Sequence, residues 1–274
     1  MLSAMPDAHP KRPRPDWRLL MPAMLIIAGA AAWGLKVGPL ALADSVGYAV
    51  CHQITVRTYV FGDLVMPLCA RCSGQYLGAM AGFFMALAWG RLRASGLPSR
   101  GMMITLGIFL AVWAFDGVNS YVYLVTGETF LYTPHNILRL ATGMLQGVAV
   151  SMFFVPFFNQ VFWQNTDPRP VLTDWKDLGL LLLLVGILAL AVNSRWTPFF
   201  YPLALLSTVG AFLLLSLVGM LFVVQILRAD NTAESWWDFL VFFVPGMAFA
   251  ILLIVGLDAL RAWGESSFGL SMPK

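Results

Sequence analysis

The chain has 274 residues, of which 59% are hydrophobic and only 11% are charged. Soluble domains carry about 25% charged residues, so this chain has too little polar surface to cover a water-soluble globule. Its 3 cysteines are too few for a disulfide-rich secreted scaffold, and its net charge of +3 is too small to indicate nucleic-acid binding. The composition therefore predicts an integral membrane protein whose main partner is the lipid bilayer.

Seven apolar runs are long enough, or nearly so, to cross a bilayer, which needs about 20 residues of helix. No strand-like alternation is visible, so we predict an all-α fold, a polytopic transmembrane bundle of about seven helices. The predicted helices lie at residues 19–43, 67–90, 102–125, 137–158, 178–193, 199–227 and 239–260.

These helices divide the chain into four parts. We expect a disordered basic cytoplasmic tail at residues 1–17, a four-helix membrane core with a Cys/His motif at 18–158, three further transmembrane helices at 178–262, and a short tail at 263–274. Basic residues gather before the first helix and after the second, which by the positive-inside rule predicts a cytoplasmic N-terminus. The segment between helices one and two then lies at the extracytoplasmic edge. The basic residues that decide this direction are Lys11, Arg12, Arg14, Arg18, Arg91, Arg93 and Arg100.

All three cysteines fall within 22 residues, and Cys69 and Cys72 have the spacing at which two thiolates bind one metal ion. Pro67 is expected to open the second helix and to place both thiols on its first turn. Cys51 and His52 would complete the set, so we hypothesise a zinc site with Cys51, His52, Cys69 and Cys72 as ligands.

Adjacent side chains usually point in different directions, so only one of Cys51 and His52 need bind the ion, with His135 as a reserve ligand. Three alternatives stay open for the cysteines. Cys69 and Cys72 could form a disulfide or a redox-active pair, or the thiols could simply pack in the core.

A second group of polar residues is expected at the same membrane edge. Asp116 and Asn119 share one face of the third helix, and an aspartate in a membrane segment implies a partner or a site. Arg139 opens the fourth helix at the edge where the third ends, so it is the natural counter-ion of Asp116. With Arg57 and Arg71 from the cysteine segment, these residues are the catalytic candidates. The alternative is that an Asp116–Arg139 pair only fixes helix packing.

Two other features predict packing rather than chemistry. Gly74, Gly78 and Gly82 recur every four residues and favour close helix contact. Asp258 and Arg261, three apart on the last helix, are expected to pair with each other.

The cysteine segment resembles that of an uncharacterised family of predicted prokaryotic multi-pass membrane proteins, a domain of unknown function. The resemblance is carried by Cys-His-Gln at 51–53, Arg57, and Pro-Leu-Cys-Ala-Arg-Cys-Ser-Gly at 67–74. The resemblance covers roughly residues 45–150 and continues at Asp116-Gly117, Asn136, Arg139 and Thr142-Gly143. It implies a prokaryotic plasma membrane and a common unit of four helices, and it brings no established reaction.

The favoured hypothesis is a metal-binding membrane protein with an enzymatic role left open. The arginines would place positive charge beside the metal, which suits an anionic small molecule or lipid headgroup as the substrate of a metalloenzyme. The alternatives are a membrane thiol-disulfide oxidoreductase using Cys69-x-x-Cys72, and a transporter or structural membrane subunit.

Overall fold

The computed structural model of the protein describes residues 14–268, so most of the predicted basic tail, including Lys11 and Arg12, lies outside the described residues, as do residues 269–274. Helices dominate the described residues, which confirms the all-α prediction. They are α1 (Trp17–Val37), α2 (Pro39–Val50), α3 (Ala70–Ala88), α4 (Arg100–Thr126), α5 (Asn136–Phe162), α6 (Trp175–Ser194), α7 (Phe200–Ile226) and α8 (Trp236–Phe268).

Six of these helices, α1 and α4 to α8, are long and apolar enough to cross a membrane. Two small sheets lie in the connections between the helices. An antiparallel hairpin pairs β1 (Thr58–Phe61) with β2 (Leu64–Cys69), and a parallel pair joins β3 (Ala94–Gly96) to β4 (Asp167–Pro170). The last helix runs to residue 268, into the segment from 263 that we expected to be a tail.

The first predicted helix is broken in two at Gly38. Gly38 adopts φ +91°, a conformation that glycine reaches easily, and Pro39 follows as the first residue of α2. A proline disfavours helical geometry in the residue before it and cannot donate to the preceding turn, so Pro39 together with the positive φ of Gly38 ends α1 at this point. The second piece, α2, ends at the first cysteine.

The expectation that Pro67 opens the second helix is wrong. Pro67 lies in β2, and α3 begins only at Ala70, with Cys69 as its N-cap residue. The hairpin is stabilised by burial of Tyr59 and Phe61, which are 2% and 0% exposed. The strand β2 therefore delivers Cys69 to the start of α3, and Cys72 follows within the first turn.

Helix α3 lies inside the bundle and packs against α5, α6 and α7. The predicted glycine stripe makes its contact with α5 possible. A Cβ atom on Gly74 or Gly78 would overlap the backbone of α5 at Leu140 or Met144. This close approach fixes the position of α3, and with it the first turn that carries Arg71 and Cys72.

Candidate metal centre

The three cysteine sulfurs form a compact group. Cys51 follows the last residue of α2, Cys69 ends β2, and Cys72 lies in the first turn of α3. Their Sγ atoms all lie within 4.8 Å of one another, and the thiols of Cys51 and Cys69 are buried. Sulfurs bound to one tetrahedral zinc ion lie about 3.8 Å apart, as follows from a Zn–S distance of about 2.3 Å. The group is therefore close to the dimensions of a metal site.

His52 lies beside this group. Its Nδ1 atom is 3.5 Å from the sulfur of Cys51. A sulfur and an imidazole nitrogen on one tetrahedral zinc ion are separated by about 3.6 Å. Although neighbouring side chains usually diverge, these two atoms are in contact. No atom of His52 is among the ligand atoms that all lie within 4.8 Å of one another, which are the three sulfurs. His135 is elsewhere: it is exposed at the start of α5, where its Nδ1 accepts a hydrogen bond from the backbone N–H of Ile137 at 3.3 Å.

Hydrogen bonds within the group change the protonation of its members. Hydrogen bonding to Cys69, and next to Cys72, lowers the pKa of the Cys51 thiol far below its ordinary value. The backbone N–H of Cys69 also donates to the sulfur of Cys51 at 3.3 Å. Hydrogen bonding to Cys51 raises the pKa of His52 to about 9. These hydrogen bonds therefore favour one thiolate, that of Cys51, and the thiolate is the form of cysteine that binds metals.

Gln53 holds the Cys51-His52 segment from the side of the hairpin. Its backbone adopts φ +49°, and its side-chain amide donates to the carbonyl oxygen of Pro67 at 3.0 Å. A non-glycine residue with positive φ is uncommon and needs such support. Nothing in the sequence reasoning had assigned Gln53 a role, although it is part of the Cys-His-Gln motif.

The expected pair of Asp258 and Arg261 does not form. Arg261 forms an ion pair with Glu265 at 3.1 Å instead, while Oδ1 of Asp258 is buried without a hydrogen-bond partner among the described residues. The physical reason is that Arg261 turns towards the end of α2. It donates there to the backbone carbonyl oxygens of Tyr48, Cys51 and His52.

Asp116 has a different partner from the one predicted. It is 1% exposed and forms its ion pair with Arg71, so the expected Asp116–Arg139 pair is wrong. Arg71 lies in the first turn of α3, between the two cysteines of the motif, and this turn faces α4. The hydroxyl groups of Tyr132 and Thr142 also donate to the Asp116 carboxylate, at 2.6 and 3.3 Å.

Three arginines gather around this carboxylate. Arg57 is 8% exposed and donates to the carbonyl oxygen of Ser120 at 3.3 Å, and Arg139 is 6% exposed and donates to Asn136 at 2.9 Å. Burial, and next the charge of Arg71, lower the pKa of Arg57. The Nε atoms of Arg71 and Arg139 are buried without a hydrogen-bond partner among the described residues.

Asn119, the remaining catalytic candidate, is engaged by the loop between α4 and α5. Its amide nitrogen donates to the carbonyl oxygen of Tyr132 at 3.0 Å, and its oxygen accepts from the N–H of Leu131 at 3.2 Å. Asn119 therefore holds Tyr132 against Asp116. Sequence reasoning missed Tyr132, because it lies in a loop outside any periodic pattern.

Comparison with known proteins bears on this region of the chain. Residues 51–153 match the family model described as Predicted membrane protein (DUF2085). The resemblance predicted from the cysteine motif is thereby confirmed. The match begins at Cys51 and ends within α5, so it contains every cysteine and the three arginines around Asp116, and it leaves α6 to α8 outside.

Two archaeal proteins are each similar to part of the chain. An uncharacterized protein of Methanocaldococcus jannaschii is 29% identical over 116 residues, which are 42% of this chain and 68% of that protein. An uncharacterized protein of Methanothermobacter thermautotrophicus is 26% identical over 105 residues, 38% of this chain and 82% of that protein. No solved structure matches the chain significantly.

Proposed function

We propose that this membrane protein binds zinc through Cys51, Cys69, Cys72 and His52. The observation that carries the proposal is the grouping of three sulfurs within 4.8 Å, with an imidazole nitrogen 3.5 Å from one of them. Thiolate and imidazole ligands together suit zinc, whereas magnesium and calcium prefer oxygen ligands.

The role of His52 decides what such a centre can do. Four protein ligands close a tetrahedral site and make it structural, whereas three leave a position open for water. A zinc ion with an open position supplies an activated water molecule at neutral pH. His52 is only partly buried and follows a ligand directly in the chain, so it is the ligand best placed to leave.

The arginines beside the centre favour an anionic substrate. Arg57, Arg71 and Arg139 place three positive charges around one carboxylate, that of Asp116. A zinc ion with three thiolates and a neutral imidazole carries one negative charge, so these groups together keep one unbalanced positive charge. An unbalanced buried charge is costly, and a bound anion removes that cost.

In this proposal the arginines and Asp116 have different roles. Arg57 and Arg139 bind and orient a phosphate or carboxylate group, from a small molecule or a lipid headgroup, through charge-assisted hydrogen bonds. Asp116 already accepts hydrogen bonds from three side chains, so it orients Arg71 and is not a free base. We therefore propose that the protein is a metalloenzyme whose substrate carries such an anionic group.

Elemental analysis of the purified full chain in detergent tests the metal site. We expect about one zinc per chain, lost in the double variant Cys69→Ser plus Cys72→Ser and reduced in His52→Ala. His135→Ala is the matched control, because that imidazole is exposed and lies outside the cysteine group, and it should keep the wild-type content. A wild-type protein without metal after zinc loading, or unchanged content in the double variant, would refute the proposal.

A thiol-disulfide oxidoreductase is the second candidate, since the same three thiols are free and close enough to exchange. Cys69 is only 2% exposed, which hinders attack by a partner thiol. Thiol trapping separates the two functions. Reversible cycling of Cys69 and Cys72 in a metal-free protein would favour the oxidoreductase.

The orientation in the membrane is part of the proposal. In this proposal α3, which is 19 residues long, is the seventh crossing. It runs from the cysteine group towards Arg91 and Arg93, just beyond its other end, which supports a cytoplasmic position for those arginines and an extracytoplasmic edge for the metal site. Alkaline phosphatase fused after Lys274 should be active, and green fluorescent protein at the same place should be dark. The reverse result would invert the orientation.

A further inference from the structure

Arg261 of α8 reaches the proposed metal ligands from outside the region that matches the family. We propose that Arg261 is a positioning residue for the metal centre, which holds the backbone of residues 48–52 so that Cys51 and His52 face Cys69 and Cys72. This inference rests on the proposed zinc site and adds α8 to it.

The contacts of Arg261 are numerous and specific. Its Nη1 donates to the carbonyl oxygens of Tyr48 and Cys51 at 2.9 and 2.7 Å, and its Nη2 donates to that of His52 at 3.4 Å. Its Nε is held by Glu265 at 3.1 Å, and its guanidinium lies 4.1 Å from the centre of the Tyr48 ring. The planar fork of an arginine can make all of these contacts at once.

The end of α2 explains why an arginine is suited to this position. The last carbonyl groups of a helix have no partner within the helix, and the helix dipole places partial negative charge there. Since α2 ends at Val50, the carbonyl groups that accept from Arg261 lie at and just beyond this terminus. A cation that binds them stabilises the terminus and fixes the direction in which the chain leaves it.

That direction decides where the two proposed ligands point. Cys51 is extended, at φ −140° and ψ 145°, and Gln53 then takes a positive φ. Gln53 holds one side of this short segment through Pro67, and Arg261 holds the other. Without Arg261, of these two sets of contacts only the hydrogen bond from Gln53 to Pro67 would resist rotation of Cys51 and His52.

A cavity beside residues 48–52 explains why the contacts from Arg261 are needed to hold this segment. The cavity has a volume of about 420 Å³ and is lined by residues 48–52 together with Arg261, Gly264 and Glu265. In this direction the segment has room to move, whereas towards Cys69 it is packed. Loss of Arg261 would allow the imidazole and thiol to swing away from the other two sulfurs.

Zinc affinity of the full-length purified chain, measured by competition with a chromogenic chelator, tests this inference. We expect Arg261→Ala to bind zinc 10- to 100-fold more weakly, the range typical when a residue that supports metal ligands is removed. Arg261→Lys, which keeps the charge and some of the donors, should restore part of the loss. Arg100→Ala is the matched control, because Arg100 is exposed at the start of α4, and its affinity should equal that of the wild type.

Cobalt substitution provides a second readout. Sulfur-to-cobalt absorption should persist in Arg261→Ala, while the visible bands shift because the coordination changes. A wild-type chain that binds no zinc would refute the metal site itself. Zinc binding in the wild type with unchanged affinity and spectrum in Arg261→Ala would overturn only the role of Arg261. If Arg261→Ala does not fold, unchanged affinity in Arg261→Lys would overturn it.

Discussion

The guanidinium of Arg71 forms an ion pair with the carboxylate of Asp116 inside the protein, and this pair joins α3 to α4. Because Arg71 lies between Cys69 and Cys72 in the chain, the same turn carries two proposed metal ligands and the counter-ion of the buried aspartate. The cysteine motif and the polar cluster are therefore one structural unit, in which a shift of α3 would move both.

Asp116→Asn should destabilise the protein by about 3 kcal/mol, the lower end of the cost of breaking a buried ion pair, since the Arg71 side chain retains some exposure. The substitution leaves the guanidinium without its carboxylate and weakens the bond from Tyr132. Thermal unfolding in detergent measures the change. Asp63→Asn, at an exposed turn, is the control, and equal melting temperatures for the two variants would contradict the expectation.

The sequence was sufficient to predict a helical bundle and to place the cysteine segment and the polar residues of α4 and α5 at one edge of it, because apolar runs and helix count determine both. It did not predict the break at Gly38 or the hairpin before α3. It was not sufficient to choose between Arg71 and Arg139 as the partner of Asp116. Both lie at that edge, and the choice depends on the rotation of α3, which the hairpin and the glycine contacts set. The hydrogen bond from Arg261 to Cys51 joins residues 210 positions apart, and no sequence pattern near either residue predicts it.

Removal of zinc should lower thermal stability reversibly. A ligand present at 1,000 times its dissociation constant stabilises the folded state by about 4 kcal/mol. A strong chelator should therefore lower the melting temperature of the wild type, and added zinc should restore it. The Cys69→Ser plus Cys72→Ser variant should be insensitive to both treatments, and a chelator effect of wild-type size in that variant would point to a different metal site.

The contact between α3 and α5 predicts opposite effects for two similar substitutions. Gly78→Ala should destabilise the protein by about 1–3 kcal/mol, because the new Cβ overlaps the backbone at Met144. Gly107→Ala on α4, where the added Cβ meets open space, should be neutral or stabilising by up to about 1 kcal/mol. Unfolding of both variants measures the difference, and a Gly78→Ala variant as stable as the wild type would contradict the close contact between α3 and α5.

Substitution of Arg139 should change stability and anion binding in opposite directions. Arg139 is buried, and the cluster around Asp116 holds more positive than negative charge, so Arg139→Met should stabilise the ligand-free protein by about 1–2 kcal/mol. The same variant should bind inorganic phosphate about 10- to 100-fold more weakly, as expected when charged hydrogen bonds are lost. Melting temperature without phosphate and the phosphate-induced shift measure the two effects, with Arg100→Met at the exposed start of α4 as the control. An arginine that only fixes packing would instead destabilise the protein when replaced and leave the phosphate-induced shift unchanged. A residue retained at a cost in stability is typical of a binding site, so the combination of signs distinguishes a functional arginine from a structural one.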